Sequence, residues 1–123
     1  MAIINIGKEN FADVVNNNDI VLIDIWASWS PPCESFAKTY EIVSDEYPDV
    51  VFAKLNMEEE REIADYLKVE AIPLLLAMRD QTPVFLEPGT LQKDELEKLI
   101  ERIRTLDMEE VRKEISEEIS DEA

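Results

Sequence analysis

Residues 20–36 read Ile-Val-Leu-Ile-Asp-Ile-Trp-Ala-Ser-Trp-Ser-Pro-Pro-Cys-Glu-Ser-Phe, and this stretch decides the fold. Its first seven residues form an apolar run broken only by Asp24. The run is rich in branched side chains and apolar on both faces, which is how a central strand covered on both sides reads. A short turn, Ala27-Ser28-Trp29-Ser30, follows. Pro31 and Pro32 then stand where a helix begins, a place that tolerates their missing N–H. Cys33, the one cysteine of the chain, lies just inside that helix. Strand, turn and helix with a thiol at the helix N-terminus is the geometry of a thiol redox site. Three residues before Cys33, where a second sulfur is needed, the chain has Ser30.

The flanks extend this unit on both sides. Residues 2–6 read as an edge strand, and Phe11, Val14 and Val15 have helical spacing in residues 8–15. Residues 16–19, Asn-Asn-Asn-Asp, are a turn. The spacing of Phe36, Tyr40, Ile42 and Val43 predicts a long helix over 32–47, closed by Pro48. Residues 50–55 are a third strand, and 61–67 a helix with Ile63, Ala64 and Leu67 inward. Residues 73–78 and 84–86 read as two strands of a hairpin, and 91–103 as a helix on Leu96, Leu99, Ile100 and Ile103. The early alternation implies parallel crossovers and the last pair an antiparallel edge. The fold class is α/β, a mixed sheet of about five strands flanked by helices.

Residues 21–33 resemble the thioredoxin active-site segment V-D-F-W-A-x-W-C-x-P-C, with Ser30 in place of the first cysteine. Further segments resemble the family in the right order. Residues 51–56, Val-Phe-Ala-Lys-Leu-Asn, are similar to its third strand. Ala71-Ile72-Pro73 is similar to the cis-proline turn that faces the thiols. Gly89 falls where the family has a glycine before its last helix. The resemblance covers roughly residues 3–104 and implies a thioredoxin fold. It divides the chain into a thioredoxin-like domain, 1–104, and an acidic helical extension, 105–123.

Composition narrows the function. At 123 residues the chain is one domain with a substantial core. The net charge of −17 disfavours nucleic acid and anionic membrane as partners. It reads first as a solvated acidic surface with no partner, and second as a surface for a basic partner. No histidine is present, which removes Ser-His, Cys-His and histidine-ligated metal chemistry. No metal and no cofactor is expected. One cysteine cannot form an internal disulfide. The apolar runs are far shorter than the ~20 residues that cross a membrane, and residues 1–10 do not resemble a signal peptide. The expected location is the cytoplasm, and a monomer is expected rather than a dimer. In the extension, Asp107 and Glu110 have the spacing of a capping box. Met108, Val111, Ile115 and Ile119 make a narrow apolar stripe, expected to dock on the domain itself.

The resemblance also assigns site residues. Ser30 holds the position of the attacking cysteine and Cys33 that of the buried resolving cysteine. Asp24 matches the aspartate that moves protons to and from the resolving sulfur, and Lys54 matches its partner. Left alone in an apolar strand, Asp24 has to be partly protonated or paired. Trp29, Pro31, Pro32, Ile72 and Pro73 match the surface that binds partner peptides, whereas Trp26 reads as core. Four positions depart from the family: Glu34 where a base is usual, Lys38 for the mid-helix proline, Leu74 for threonine, and Gln81 for the hairpin glycine. Two functions follow. One is a member of this redox family without dithiol chemistry, acting as a peptide-binding or monothiol protein. The other is a disulfide reductase serving cell redox homeostasis, with Ser30 an engineered replacement in a Cys-Pro-Pro-Cys site.

Overall fold

A computed structural model describes residues 3–122, with side chains described as far as Glu117. Ten elements follow in order: β1 (Ile4–Asn5), α1 (Phe11–Asn16), β2 (Ile20–Trp26), α2 (Pro31–Glu46) and β3 (Val51–Asn56), then α3 (Arg61–Tyr66), β4 (Leu74–Arg79), β5 (Thr82–Pro88), α4 (Lys93–Arg104) and α5 (Met108–Glu122). The five strands form one mixed sheet in the order β1-β3-β2-β4-β5. β3 runs parallel to β1 and β2, and β4 runs antiparallel to β2 and β5. The expected α/β architecture with its antiparallel edge is the one observed.

β2 is the middle strand, and its first six residues are fully buried. One face of the sheet packs Leu22, Phe52 and Leu75 under Phe36, Tyr40 and Val43 of α2 and Leu96 and Ile100 of α4. The other packs Val21, Ile23, Ile25, Leu55 and Leu76 under Val15 and the partly buried Phe11 and Ile63 of α1 and α3. Tyr40 pins the first face to the sheet. Its hydroxyl lies 2.9 Å from the Leu22 carbonyl and 2.8 Å from that of Ala53, and it accepts from Ala53 N at 3.2 Å. One phenol thereby spans β2 and β3 in a dry interior, where unmet carbonyls are costly. Ile42, expected inward, is 53% exposed, because it falls between the rows that face the sheet. α1 starts at Phe11 and not Lys8: Gly7 N donates to Asn10 Oδ1 at 2.8 Å, holding the entry as a turn.

The β4–β5 hairpin turns without glycine. Asp80 and Gln81 both have positive φ, 50° and 67°, as a two-residue primed turn requires. The turn is held from outside: Asp80 N donates to Asp19 O at 2.8 Å, and Gln81 Nε2 to Asn16 O at 3.2 Å. Next to it, the Arg79 guanidinium donates to the carbonyls of Ile103, Arg104 and Leu106. These are the open carbonyls at the α4 C-terminus, where a cation is favoured.

α5 packs at this same pole. Met108 is buried, and Val111 and Ile115 are half-buried. Arg112 Nη2 donates to Asp80 O at 3.3 Å. Asp107 Oδ1 accepts from Glu109 N and Glu110 N, which starts the helix as the sequence suggested. Ile119, the last residue of the stripe, lies beyond the described side chains. Met108→Ala is expected to cost about 2 kcal/mol in denaturant unfolding. Deleting residues 107–123 should lower the melting temperature and leave the protein a monomer. A dimer that becomes a monomer on deletion would move the stripe to a subunit interface.

Candidate functional site: the β2–α2 junction

The pole opposite α5 carries the site. Arg79 pairs with Ile20 at one end of β2, and Leu74 with Ile25 at the other. Pro73 therefore stands where β2 gives way to the turn at residues 27–30. The Ile72–Pro73 peptide is cis, and the Pro73 carbonyl accepts from Gly89 N at 2.8 Å. Ile72 is half-buried and Pro73 buried. Trp29, by contrast, is 66% exposed, and Pro31 and Pro32 are exposed beside it.

Ser30 is the N-cap of α2. Its Oγ accepts from Cys33 N at 3.4 Å, and its carbonyl from Glu34 N at 3.2 Å. Pro31 and Pro32 fill the next two positions and bring no amide hydrogens, so the first N–H to satisfy is that of Cys33. A serine oxygen suits this role well. Ser30 and Cys33 are both buried, at 5% and 3% exposure. Ser30 thus has a structural task in the position that the resemblance gives to an attacking sulfur.

Asp24 lies on the α2 face of β2, fully buried, with neither carboxylate oxygen hydrogen-bonded. Its register neighbours are Lys54 on β3 and Leu75 on β4. Burial pushes its pKa up from 3.8 to about 7, and the positive charge of Lys54 offsets part of that rise. Neither a hydrogen bond nor an ion pair to this carboxyl is among the described contacts. Lys54 Nζ stands 5.6 Å from the Trp26 ring centroid, over its face. Trp26 itself is only half-buried, because it lines a cavity of about 520 Å³ together with Lys54, Asn5, Asn56 and Glu60.

One functional contact escaped the sequence reading. Glu58 Oε1 accepts from both Ser28 N and Ser28 Oγ, each at 2.9 Å. These bonds hold the Glu58 carboxyl below the usual carboxylate range. They tie the Trp29 turn to the loop after β3. The signal available was the run Glu58-Glu59-Glu60 at the end of the third strand, level with the turn after the second. No metal site is placed by geometry: among the described residues no group of three or more His, Cys, Asp or Glu could hold an ion. No helix among them is long and apolar enough to cross a membrane.

With a cis proline facing a capped thiol helix on this sheet order, comparison with known proteins is decisive. The thioredoxin family model matches residues 2–102. The chain belongs to the thioredoxin family. It is 41% identical over 115 residues to the Streptomyces coelicolor protein named "Putative thioredoxin 2", covering 94% of this chain and 86% of that one. It is 34% identical over 100 residues to thioredoxin C-3 of Corynebacterium nephridii, covering 80% and 69%. Spinach chloroplast thioredoxin f superposes with a TM-score of 0.76 at 26% identity, covering 84% of this chain and 94% of that one. The family is one of thiol-disulfide oxidoreductases, whose members act on protein substrates.

Two measurements test this description. An acid whose pKa is raised on folding binds its proton more tightly in the native state, so stability falls as pH rises between the two values. For Asp24 that window runs from about 4 to about 7. Asp24→Asn should therefore gain stability at pH 8, by at most roughly 4 kcal/mol, and gain nothing near pH 4. Equal effects at both pH values would mean that folding leaves the pKa of Asp24 unshifted. Cys33, at 3% exposure, should react slowly with a thiol reagent in the folded protein and rapidly in denaturant. Fast, stoichiometric labelling of native protein would contradict the burial.

Proposed function

We propose that this thioredoxin-family protein binds a peptide or protein partner at the surface of Trp29, Pro31, Pro32, Ile72 and Pro73 without catalysing dithiol–disulfide exchange. It would do so as a cytoplasmic monomer, with residues 1–104 as the working domain and 105–123 as an appendage. The observation that carries this reading is Ser30 in its N-cap role. A dithiol cycle needs one thiolate to attack and a second to resolve the mixed disulfide. The hydroxyl at residue 30 is bound to a backbone amide, and no histidine exists to activate it. What remains is an exposed indole, two prolines and a cis-proline turn on one pole. Cys33 remains as a buried thiol, able at most to pair with a sulfur brought by another molecule.

The retained parts support a second reading, that a cysteine at residue 30 would complete a working reductase. Asp24, the cis proline and the capped helix are all in place around that position. Both readings predict that the serine form will not reduce insulin disulfides with dithiothreitol above background. Ser30→Cys should bring turnover at least tenfold above the serine form, since only the missing sulfur separates the two. Clear turnover by the serine form would sink the two-sulfur argument. A silent Ser30→Cys variant with its fold intact would leave the binding role alone standing.

A further inference from the structure

The side of Trp29 turned toward α3 says what kind of partner fits. A cleft of about 200 Å³ lies there, lined by Trp29, Met57, Glu58, Arg61, Ala64 and Asp65. Its walls are apolar: the indole, the thioether chain of Met57, the Ala64 methyl and the stem of Arg61. Its rim is charged. Glu58 is fixed there by the two Ser28 bonds, so its charge is held in place in the free protein. Arg61, the one cation at the rim, lies close enough to Glu58 to act on its titration. Two carboxylates, Glu58 and Asp65, line the cleft against that single guanidinium, in a protein of net charge −17. An apolar socket with a negative rim selects by sign, because like charges brought to such a rim are repelled.

We infer that this cleft takes an aliphatic side chain of a partner peptide that carries a lysine or arginine beside it. The inference rests on the reading of the Trp29 pole as a peptide surface and adds the chemistry of the peptide. The aliphatic group buries itself against Trp29 and Met57. The flanking cation meets Glu58 and Asp65 at the rim. A second copy of this chain is a poor occupant, since its own surface is strongly acidic.

Fluorescein-labelled heptapeptides, Gly-Ser-Lys-Leu-Lys-Ser-Gly and its Glu-Leu-Glu and Lys-Ala-Lys counterparts, test this by anisotropy against the full chain. The Lys-Leu-Lys peptide should bind about tenfold tighter than Glu-Leu-Glu at low salt, and the ratio should shrink as salt rises. It should also bind several-fold tighter than Lys-Ala-Lys, a ratio that salt leaves intact. The double variant Glu58→Gln/Asp65→Asn should lose most of the charge preference. A remote pair of equal charge change, Glu109→Gln/Glu114→Gln, should keep it. Equal binding of the lysine and glutamate peptides would overturn the inference, and so would equal losses in the two double variants. Trp29→Ala separates the layers. If it weakens binding but no charge or leucine preference exists, the inference alone fails. If it changes nothing, or no peptide binds, the peptide-surface reading fails and takes the inference with it.

Discussion

From Val21 to Ile25 β2 is held from both sides, by β3 in parallel and by β4 in antiparallel register, and is buried. Everything else in the molecule is placed by that constraint. A strand with no free edge and no free face can neither slip nor tilt without breaking two ladders and two cores. Its last residue, Trp26, therefore delivers the turn at 27–30 to a fixed point. The N-cap at Ser30 then fixes where α2 begins, and α2 returns across the sheet through Phe36 and Tyr40. Tyr40 closes the circuit by reaching the carbonyls of Leu22 and Ala53 on β2 and β3.

The two ends of β2 serve different tasks. At its start the side chains are structural. Arg79 gathers the last carbonyls of α4, Asp80 receives Arg112 of α5, and Met108 seals the corner. At its finish stand Ser30, Cys33, the cis peptide at Pro73 and the exposed Trp29. Charge is divided less cleanly, since acids crowd both poles. At the Trp29 pole Glu58 and Asp65 stand beside an apolar cleft.

Much of this was legible in the sequence because the signals were local or periodic. The doubly apolar run at 20–26, the two prolines before Cys33 and the alternation of strand and helix gave the sheet and its antiparallel edge. What stayed hidden depends on register between distant segments. Glu58 reaches Ser28 across thirty positions in the chain, and no spacing rule connects them. Arg79 finds the end of α4 only because β4 and α4 stop at the same height. The hairpin misled in another way. A missing glycine at Gln81 read as a departure, and bonds that the turn donates to the carbonyls of Asp19 and Asn16 hold two non-glycine residues at positive φ. Trp26 read as core from its strand, but the cavity at the edge of β1 leaves it half open.

Asp24 is the residue that weighs most between a pure binding module and a site waiting for a sulfur. Its carboxyl has no hydrogen bond and no ion pair among the described contacts, and burial, only partly offset by the charge of Lys54, raises its pKa to about 7. At neutral pH such a group destabilises the fold, since an apolar side chain of like size would not need desolvation. A surface that only binds peptides gains nothing from it. A carboxyl that titrates near neutral pH is able to take or give a proton there, because a general acid or base works best when its pKa lies near the working pH. Ser30, for its part, costs the helix nothing, as a hydroxyl caps at least as well as a thiol and keeps the Cys33 amide satisfied. Ser30 therefore keeps the start of α2 in place, while the buried carboxyl of Asp24 is a cost that only the charge of Lys54 on the adjacent strand offsets.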